Sequence, residues 1–377
     1  MADEQASDEK ARRAPFGARE FRLIEDASSA GGFPAVRSPS QSPLIYFDSW
    51  VWVQLAQARR SPAHPLREVE KKLRLNAAAG EIQIALTSGN YLELWNRRDS
   101  RSRQHVGREM AELSGYVTLR AVHEVLEEEL ARVTEAWRKL GPRLPAMQIA
   151  REWIVGSGAR HAFASPTGRY RFVSKIATNS SPEGEEVPMP DEWVAASAAM
   201  SREMFEWVNL IGLDNNYDVP GVDYRPEHRL GDEWVASQEE VRAMVDFIGS
   251  DDSLMYRLII GRRLANLFEQ FPHALPTNRE LASWFRGPAD GIGFIGSMPV
   301  QQVMVELTYA AHRNARYRFK QHDRTDILEL SLTLPYCDVV VPDANWAHHA
   351  MATRLAESFG TKVLKDRESL IGWVATL

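Results

Sequence analysis

Short apolar runs alternate with longer stretches of helical periodicity along this chain. The clearest runs are residues 44–47, 82–86 and 339–341, and each is followed directly by polar or turn-forming residues. Runs of this length and composition are typical of strands that are buried on both faces of a parallel sheet. The hydrophobic pattern therefore predicts an α/β fold in which helices flank a parallel, Rossmann-like sheet.

Helical spacing of apolar residues fills much of the sequence between these runs. Gly80 is placed to end one helix before the second run, and the pair Gly141-Pro142 breaks another. The glycine-rich residues 291–296 follow no strand, so we interpret them as a flexible loop. The predicted helices cover residues 50–59, 66–79, 90–96, 106–113, 119–140, 193–210, 238–247, 253–271 and 300–313.

The order of these patterns predicts one α/β core that is interrupted by a helical insertion. Residues 1–40 are rich in Ala, Ser, Pro and charge, which is typical of a mobile tail. Residues 41–140 form the first half of the core, 141–295 the helical insertion, and 296–377 the second half. By analogy, such an insertion builds a substrate groove or docks a protein partner.

Composition narrows the class of protein. The chain has 377 residues, 44% of them hydrophobic, and has no apolar run long enough to cross a membrane. Its single cysteine, Cys337, rules out an intrachain disulfide and fits a reducing cytoplasm. A net charge of −6 argues against binding nucleic acid through bulk charge, but it leaves room for a local basic strip.

Acidic residues follow or flank the apolar runs at both ends of the chain. Asp48 and Asp343 come where the first and last runs stop, and Glu93 lies on the helix predicted after the second run. In parallel sheets the functional site lies outside the carboxyl ends of the strands, so these side chains should converge there. Together with Asp326 they would repel one another, and a divalent cation is the usual solution. The pattern points to a metal-dependent hydrolase of phosphodiesters.

This arrangement resembles the PIN-domain nucleases. In that family an Asp ends the first strand, a Glu lies on the helix after the second, an Asp starts a later helix, and another Asp follows the third strand. The matching residues here are Asp48, Glu93, Asp326 and Asp343. The resemblance implies a PIN-like fold and an endoribonuclease that uses Mg²⁺ or Mn²⁺ held by these carboxylates, with Asp338 and Asp323 in reserve. It covers about residues 40–125 and 296–377.

A carboxylate at these positions also has an ordinary structural explanation. Asp often caps a helix because its side chain accepts a hydrogen bond from a backbone N–H of the first turn. For Asp326, which precedes Ile327 and Leu328, the sequence is consistent with both capping and metal contact. For Asp48 it favours metal contact, and Asp323 is expected to be solvated.

Two basic stretches flank the predicted site and could follow a phosphate backbone. The first contains Arg97, Arg98 and Arg101, directly after the Glu93 helix. The second contains Arg313, Arg316 and Lys320, interleaved with Tyr317 and Phe319, whose rings could stack on unpaired bases. The alternative is a solvated basic face with both aromatic rings turned into the core.

Three functions remain open from the sequence. The first is the metal-dependent endoribonuclease, in the cytoplasm, with a toxin or defence role implied by analogy. The second is a catalytically silent PIN-like scaffold that binds nucleic acid or protein, or that forms a homo-oligomer. Trp50 and Pro342 keep this reading open because they replace the Asn and the hydroxyl residue common at those positions in the family. The third is a phosphohydrolase that acts on small nucleotides.

Overall fold

The fold is mixed α/β and mostly helical. The computed structural model describes residues 32–97, 99–141, 144–165, 172–174, 186–187, 195, 198–212, 222–223, 226–248, 252–274 and 277–377. In the described part of the chain, no helix is long and apolar enough to cross a membrane.

The elements follow one another from a strand at Leu44 to a helix that ends at Thr376. The strands are β1 (Leu44–Phe47), β2 (Gln83–Ala85), β3 (Val117–Leu119), β4 (Val155–Ser157), β5 (Phe172–Ser174), β6 (Glu186–Val187), β7 (Val222–Asp223), β8 (Val339–Val341) and β9 (Lys362–Val363). The helices of the first half are α1 (Ser49–Arg60), α2 (Arg67–Ala79), α3 (Ser88–Trp95), α4 (Ser100–Ser114), α5 (Val122–Leu140), α6 (Arg151–Ile154), α7 (Ala159–Phe163) and α8 (Arg202–Ile211). The remaining helices are α9 (Pro226–Ile248), α10 (Asp252–Gln270), α11 (Asn278–Trp284), α12 (Pro288–Gly296), α13 (Pro299–Arg313), α14 (Gln321–Tyr336), α15 (Ala344–Ala352), α16 (Leu355–Phe359) and α17 (Arg367–Thr376).

The central sheet has the strand order β2-β1-β8-β9, and all of its pairings are parallel. The parallel sheet and its three predicted strands are therefore confirmed. A bridge between Leu86 and Thr118 extends the sheet to β3, which pairs antiparallel with β4. The prediction of a helix from residue 119 is wrong at its start, because Val117–Leu119 is a strand and the helix begins at Val122.

The strand order creates a topological switch point between β1 and β8. From β1 the chain moves to β2 on one side, and it later returns to β8 on the other side. In open parallel sheets, the connections that leave two such neighbouring strands diverge, and a crevice opens at their carboxyl ends. Phe47 and Val341 are register partners at this edge, so the residues that follow them lie at the crevice.

Alternate side chains of the central strands pack into two buried clusters, one on each face of the sheet. Leu44, Tyr46 and Val340 belong to the first cluster, whereas Ile45 and Phe47 belong to the second. Every residue of β1 is buried, as expected for a strand that has helices on both faces. The site at the strand ends is thus held by a rigid, fully covered support.

The predicted insertion contributes to both clusters. Val241, Ile259 and Phe294 pack into the first cluster, together with Leu44 and Val340. From the opposite side, Trp207, Leu210 and Ile211 of α8 pack into the second cluster. Much of the segment between residues 160 and 192, which the sequence suggests is a long loop, lies outside the described residues.

Two local predictions need correction. The glycine-rich residues 291–296 form part of helix α12, in which Pro288 occupies the first turn and Phe294 and Ile295 are buried. Residues 32–40 are not the mobile segment that the sequence predicted, because Phe33 and Val36 pack against the second cluster. The Arg37 guanidinium also donates to three main-chain carbonyls, those of Ala77, Glu112 and Leu113.

Candidate metal centre

Asp48 and Asp343 begin the site, and both are helix caps. The Asp48 Oδ1 accepts from the Ser49 N–H at 2.5 Å, and the Asp343 Oδ1 accepts from the Trp346 N–H at 2.8 Å. The Asp48 N–H in turn donates to the Val341 carbonyl at 3.1 Å, which ties the ends of β1 and β8 together. Capping therefore accounts for part of the need for Asp at these positions, and it also fixes both carboxylates at the crevice.

A small pocket opens between these strand ends. Its volume is about 10 Å³, which is room for roughly one water molecule or ion. The four predicted carboxylates all face it. Its lining consists of Tyr46, Asp48, Glu93, Asp326, Glu329, Leu330, Pro342, Asp343 and Trp346.

Glu93 reaches the pocket because helix α3 is anchored at its start. Thr87 and Asn90 form a capping box, and the Asn90 side-chain amide also donates to the Phe47 carbonyl at 3.2 Å. This contact sets the first turn of α3 against the end of β1. The Ser49 hydroxyl, which the sequence did not single out, then donates a hydrogen bond to the Glu93 carboxylate.

Asp326 lies inside helix α14 rather than at its N-cap. The cap is Lys320, whose N–H donates to the Asp323 Oδ2 at 2.7 Å. The capping alternative for Asp326 is therefore wrong. The expectation that Asp323 is solvated is also wrong, because it is buried in this capping box. Asp326 is instead held by the Trp346 indole N–H, which donates to its Oδ2 at 3.0 Å.

Glu329 is a pocket residue that sequence reasoning missed. It lies one helical turn after Asp326, so the i, i+3 spacing of two acids on α14 was the available signal. Its Oε1 accepts from the Gly89 N–H at 3.0 Å, whereas its Oε2 is buried without a hydrogen-bond partner. An unsatisfied buried carboxylate oxygen is costly, and a bound cation would remove that cost.

Burial and mutual repulsion make these acids hard to ionise. Burial, and then the charge of Asp343, raises the pKa of Asp48 to about 6. Burial, and then Asp48 and Asp343, raises the pKa of Asp326 to about 8. Burial raises the pKa of Glu329 to about 7, although the Thr87 hydroxyl and the Gly89 N–H oppose it, and that of Glu93 is also well above its usual range. Groups with such shifted pKa values in a crevice are typical of functional sites.

The tightest grouping of metal-ligand atoms involves a different set of residues. Among the described residues, His322, Asp323 and Asp326 are the only three that bring ligand atoms within 4.8 Å of one another, and they could hold a metal ion. The predicted set Asp48, Glu93, Asp326 and Asp343 lines one pocket without reaching that mutual distance. Asp326 belongs to both groups, so the group formed with His322 and Asp323 lies next to the pocket.

Asp338, the other reserve residue, lies away from this pocket. It directly precedes β8, and its Oδ2 accepts from the Leu44 N–H at 2.6 Å, at the start of β1. The same oxygen pairs with the Arg151 guanidinium at 3.0 Å. We therefore correct the prediction for Asp338, because it joins the N-terminal ends of the two strands whose opposite ends carry the pocket.

The second basic stretch matches the solvated-face alternative. Phe319 packs edge-on against Trp234 with ring centroids 5.2 Å apart, and Tyr317 packs against Trp346 at 6.1 Å. The two rings are therefore engaged with the protein. Arg313 approaches Asp252 at 3.6 Å, while Arg316 and Lys320 are exposed.

The first basic stretch lines a separate groove of about 410 Å³ between α1 and the start of α4. Arg97 and Arg101 both contribute to it, and Arg98 lies outside the described residues. Arg60 and His105 lie in the same groove. His105 ends the first basic stretch, whereas Arg60 is distant from it along the chain, so no local sequence pattern links Arg60 to the groove.

No family model, curated protein or solved structure matches this chain. Its function must therefore be argued from the geometry and chemistry of its own residues.

Proposed function

We propose that this protein is a PIN-like, metal-dependent nuclease that hydrolyses phosphodiester bonds, and that its substrate is RNA. The observation that carries the proposal is the meeting of Asp48, Glu93, Asp326 and Asp343 at one pocket. These residues come from four distant parts of the sequence, and their pocket opens at the switch point of a parallel sheet. The preference for RNA rests on the family resemblance.

The residues fit a hard divalent cation. Carboxylate oxygens are the ligands that Mg²⁺ and Mn²⁺ prefer, and a few are enough because such ions retain several waters. The Glu329 Oε2 has no hydrogen-bond partner, and the pKa values of Asp48 and Asp326 are raised. Both observations are expected for a pocket in which no positive charge balances the carboxylates. We assign Asp48 and Asp343 as direct ligands, with Glu93, Asp326 and Glu329 completing the set. His322 and Asp323 lie beside Asp326 and offer ligands for a further ion.

When bound, the cation would activate a water nucleophile and offset the negative charge of the scissile phosphate. The protein's own contribution is to hold its carboxylates in place. Trp346 holds Asp326, Ser49 holds Glu93, and Gly89 holds Glu329, each through a hydrogen bond. These supporting donors keep the carboxylates from turning away from one another.

The proposal is tested by cleavage of a mixed RNA pool with Mn²⁺ present and with EDTA. We expect metal-dependent cleavage that falls by at least about 100-fold in Asp48→Asn, because Asn keeps the cap of α1 and removes the ligand charge. The matched control is Asp366→Asn, since Asp366 also caps a helix, α17, but lines no part of the pocket.

Full activity in a folded Asp48→Asn protein would contradict the assignment of this pocket as the active site. Absence of RNA cleavage by the wild-type protein, at saturating Mn²⁺, would favour the binding scaffold. Hydrolysis of free nucleotides in place of RNA would favour the small-nucleotide enzyme, although the narrow pocket argues against it.

A further inference from the structure

The groove between α1 and α4 and the carboxylate pocket are lined by different residues of the same two stretches of chain. Ser49, which bonds to Glu93, begins α1, and Val53, one turn later, is already part of the groove wall. Gln57 and Arg60 continue the same face of α1 for roughly 16 Å from Ser49, at 1.5 Å per residue. On the other wall, Arg97 follows Glu93 by four residues. The two stretches of chain that supply Asp48 and Glu93 to the pocket therefore also supply the groove.

The groove is strongly positive. Arg60, Arg97 and Arg101 all line it, and none of the three has a carboxylate within ion-pair distance among the described residues. Arg60 donates to the His105 Nδ1 at 3.0 Å, so this imidazole carries its proton on Nε2. Burial, and then the charges of Arg60 and Arg101, lowers the pKa of His105. Three cations therefore act on one cavity in a protein whose net charge is −6.

The groove's own carboxylate offsets only part of these charges, because one acid faces three guanidinium groups. Asp99 is the one acidic residue in the lining, and its Oδ1 accepts from the Arg101 and Ser102 N–H groups at 2.9 and 3.1 Å as the cap of α4. The Ser102 hydroxyl accepts from the Arg97 guanidinium at 3.1 Å. Hydroxyl, imidazole and guanidinium groups in one cavity are the donors that recognise phosphate oxygens.

We propose that this groove binds the backbone phosphates of a single RNA strand a few nucleotides from the bond that is cut. This inference rests on the proposed function, since it takes the pocket as the place of cleavage. Two separate stretches of chain supply the cations of a groove of about 410 Å³, a size that suits a chain of phosphates better than one anion. A groove that tracks the backbone also explains how an acidic protein can hold a polyanion.

The test measures binding and cleavage separately. Binding of a fluorescent 12-nucleotide RNA is followed by anisotropy in EDTA, where the strand stays intact, at several salt concentrations. The variant is Arg60→Gln/Arg101→Gln, because both side chains are exposed. The matched control is Lys139→Gln/Arg257→Gln, which removes the same charge from exposed positions outside the groove. Cleavage of the same RNA with Mn²⁺ is measured in parallel.

We expect the groove variant to bind at least about fivefold more weakly, and its slope of log affinity against log salt to flatten by about 1.4, as expected for two lost single-strand phosphate contacts. The control variant should bind as wild type does. Equal binding by the groove variant and the wild type would overturn the inference. So would competition by inorganic phosphate or AMP that is as strong as competition by the RNA, because the ligand would then be a free phosphate. If the groove variant binds RNA more weakly but the wild type shows no Mn²⁺-dependent cleavage, the groove is supported as an RNA-binding site and the nuclease activity is rejected.

Discussion

The Gly89 N–H donates to the Glu329 Oε1 at 3.0 Å, and a Cβ atom at position 89 would lie 2.4 Å from that oxygen. A glycine is thus needed at position 89 because the Glu329 side chain approaches it closely, and not because its backbone is left-handed. Gly89→Ala must displace the Glu329 carboxylate from the pocket. We expect Mn²⁺ affinity, measured by calorimetry, to fall by about tenfold. Stability should change by less than about 1 kcal/mol, because improved helix propensity offsets the lost hydrogen bond.

Gly372→Ala is the matched control, because Gly372 also lies in a helix and a Cβ there would meet no atom within 4 Å. It should leave Mn²⁺ affinity unchanged. If both variants bind Mn²⁺ as the wild type does, Glu329 is not part of the metal site.

The stability of the metal-free protein should depend on pH in a defined direction. The folded-state pKa values of Asp48, Glu329 and Asp326 are about 6, 7 and 8, all above the usual carboxyl range. The folded protein therefore retains protons that the unfolded chain has already released. The unfolding free energy should fall by at least about 1 kcal/mol as pH rises from about 4 to 8, and level off above that.

Urea denaturation in EDTA at several pH values measures this slope. Added Mn²⁺ should restore stability at pH 8, because the cation binds the ionised carboxylates and competes with protons. A stability that rises between pH 5 and 8 without metal would contradict the burial of these acids.

Asp326→Asn should separate structure from chemistry. An Asn side chain can still accept from the Trp346 indole, so the contact at 3.0 Å survives, while a buried repelling charge is removed. We expect the metal-free variant to be at least as stable as the wild type at pH 8, and to lose most of its Mn²⁺ binding and cleavage. A destabilised variant with normal Mn²⁺ affinity would assign Asp326 a purely structural role.

Glu129 provides a pH-dependent control outside the site. It is fully buried, and it accepts from the Tyr336 hydroxyl at 2.7 Å and from the Val300 N–H at 3.1 Å. Burial raises its pKa to about 8, so its contribution to stability is complete below about pH 4.5 and is lost as pH rises through 8. Glu129→Gln should flatten this part of the pH profile and leave Mn²⁺ affinity unchanged. An unaltered profile would show that Glu129 is ionised in the folded state.

The sequence predicted the parts of the fold that depend on local periodicity. Residues 44–47 and 339–341 are strands with the expected bounds, and Gly80 ends α2 with a left-handed backbone, as its position suggested. Asp48 and Asp343 could be placed at one edge because parallel strands share their carboxyl ends. The strand at Val117 was missed because its apolar residues continue into the helical pattern of α5.

Contacts between distant residues could not be read in the same way. Asp338 and Asp343 flank opposite ends of the same three-residue strand, and the bond from the Leu44 N–H to Asp338 depends on the pairing of β8 with β1. Arg60 joins the groove through the packing of α1 on α4, which no local pattern encodes. Asp323 was misjudged because its capping role depends on where α14 begins, and the cap at Lys320 lies six residues before Asp326, the cap that the sequence suggested.

A crystal structure of the protein soaked with Mn²⁺, with anomalous data, would decide where the cation binds. The proposed function requires an anomalous peak in the pocket, in contact with oxygens of both Asp48 and Asp343 at about 2.1 Å, the distance typical of octahedral Mg²⁺ sites. A further peak beside His322 and Asp323 is compatible with this result. A peak at His322 and Asp323 alone, or an empty pocket at saturating Mn²⁺, would contradict the assignment of Asp48 and Asp343 as metal ligands.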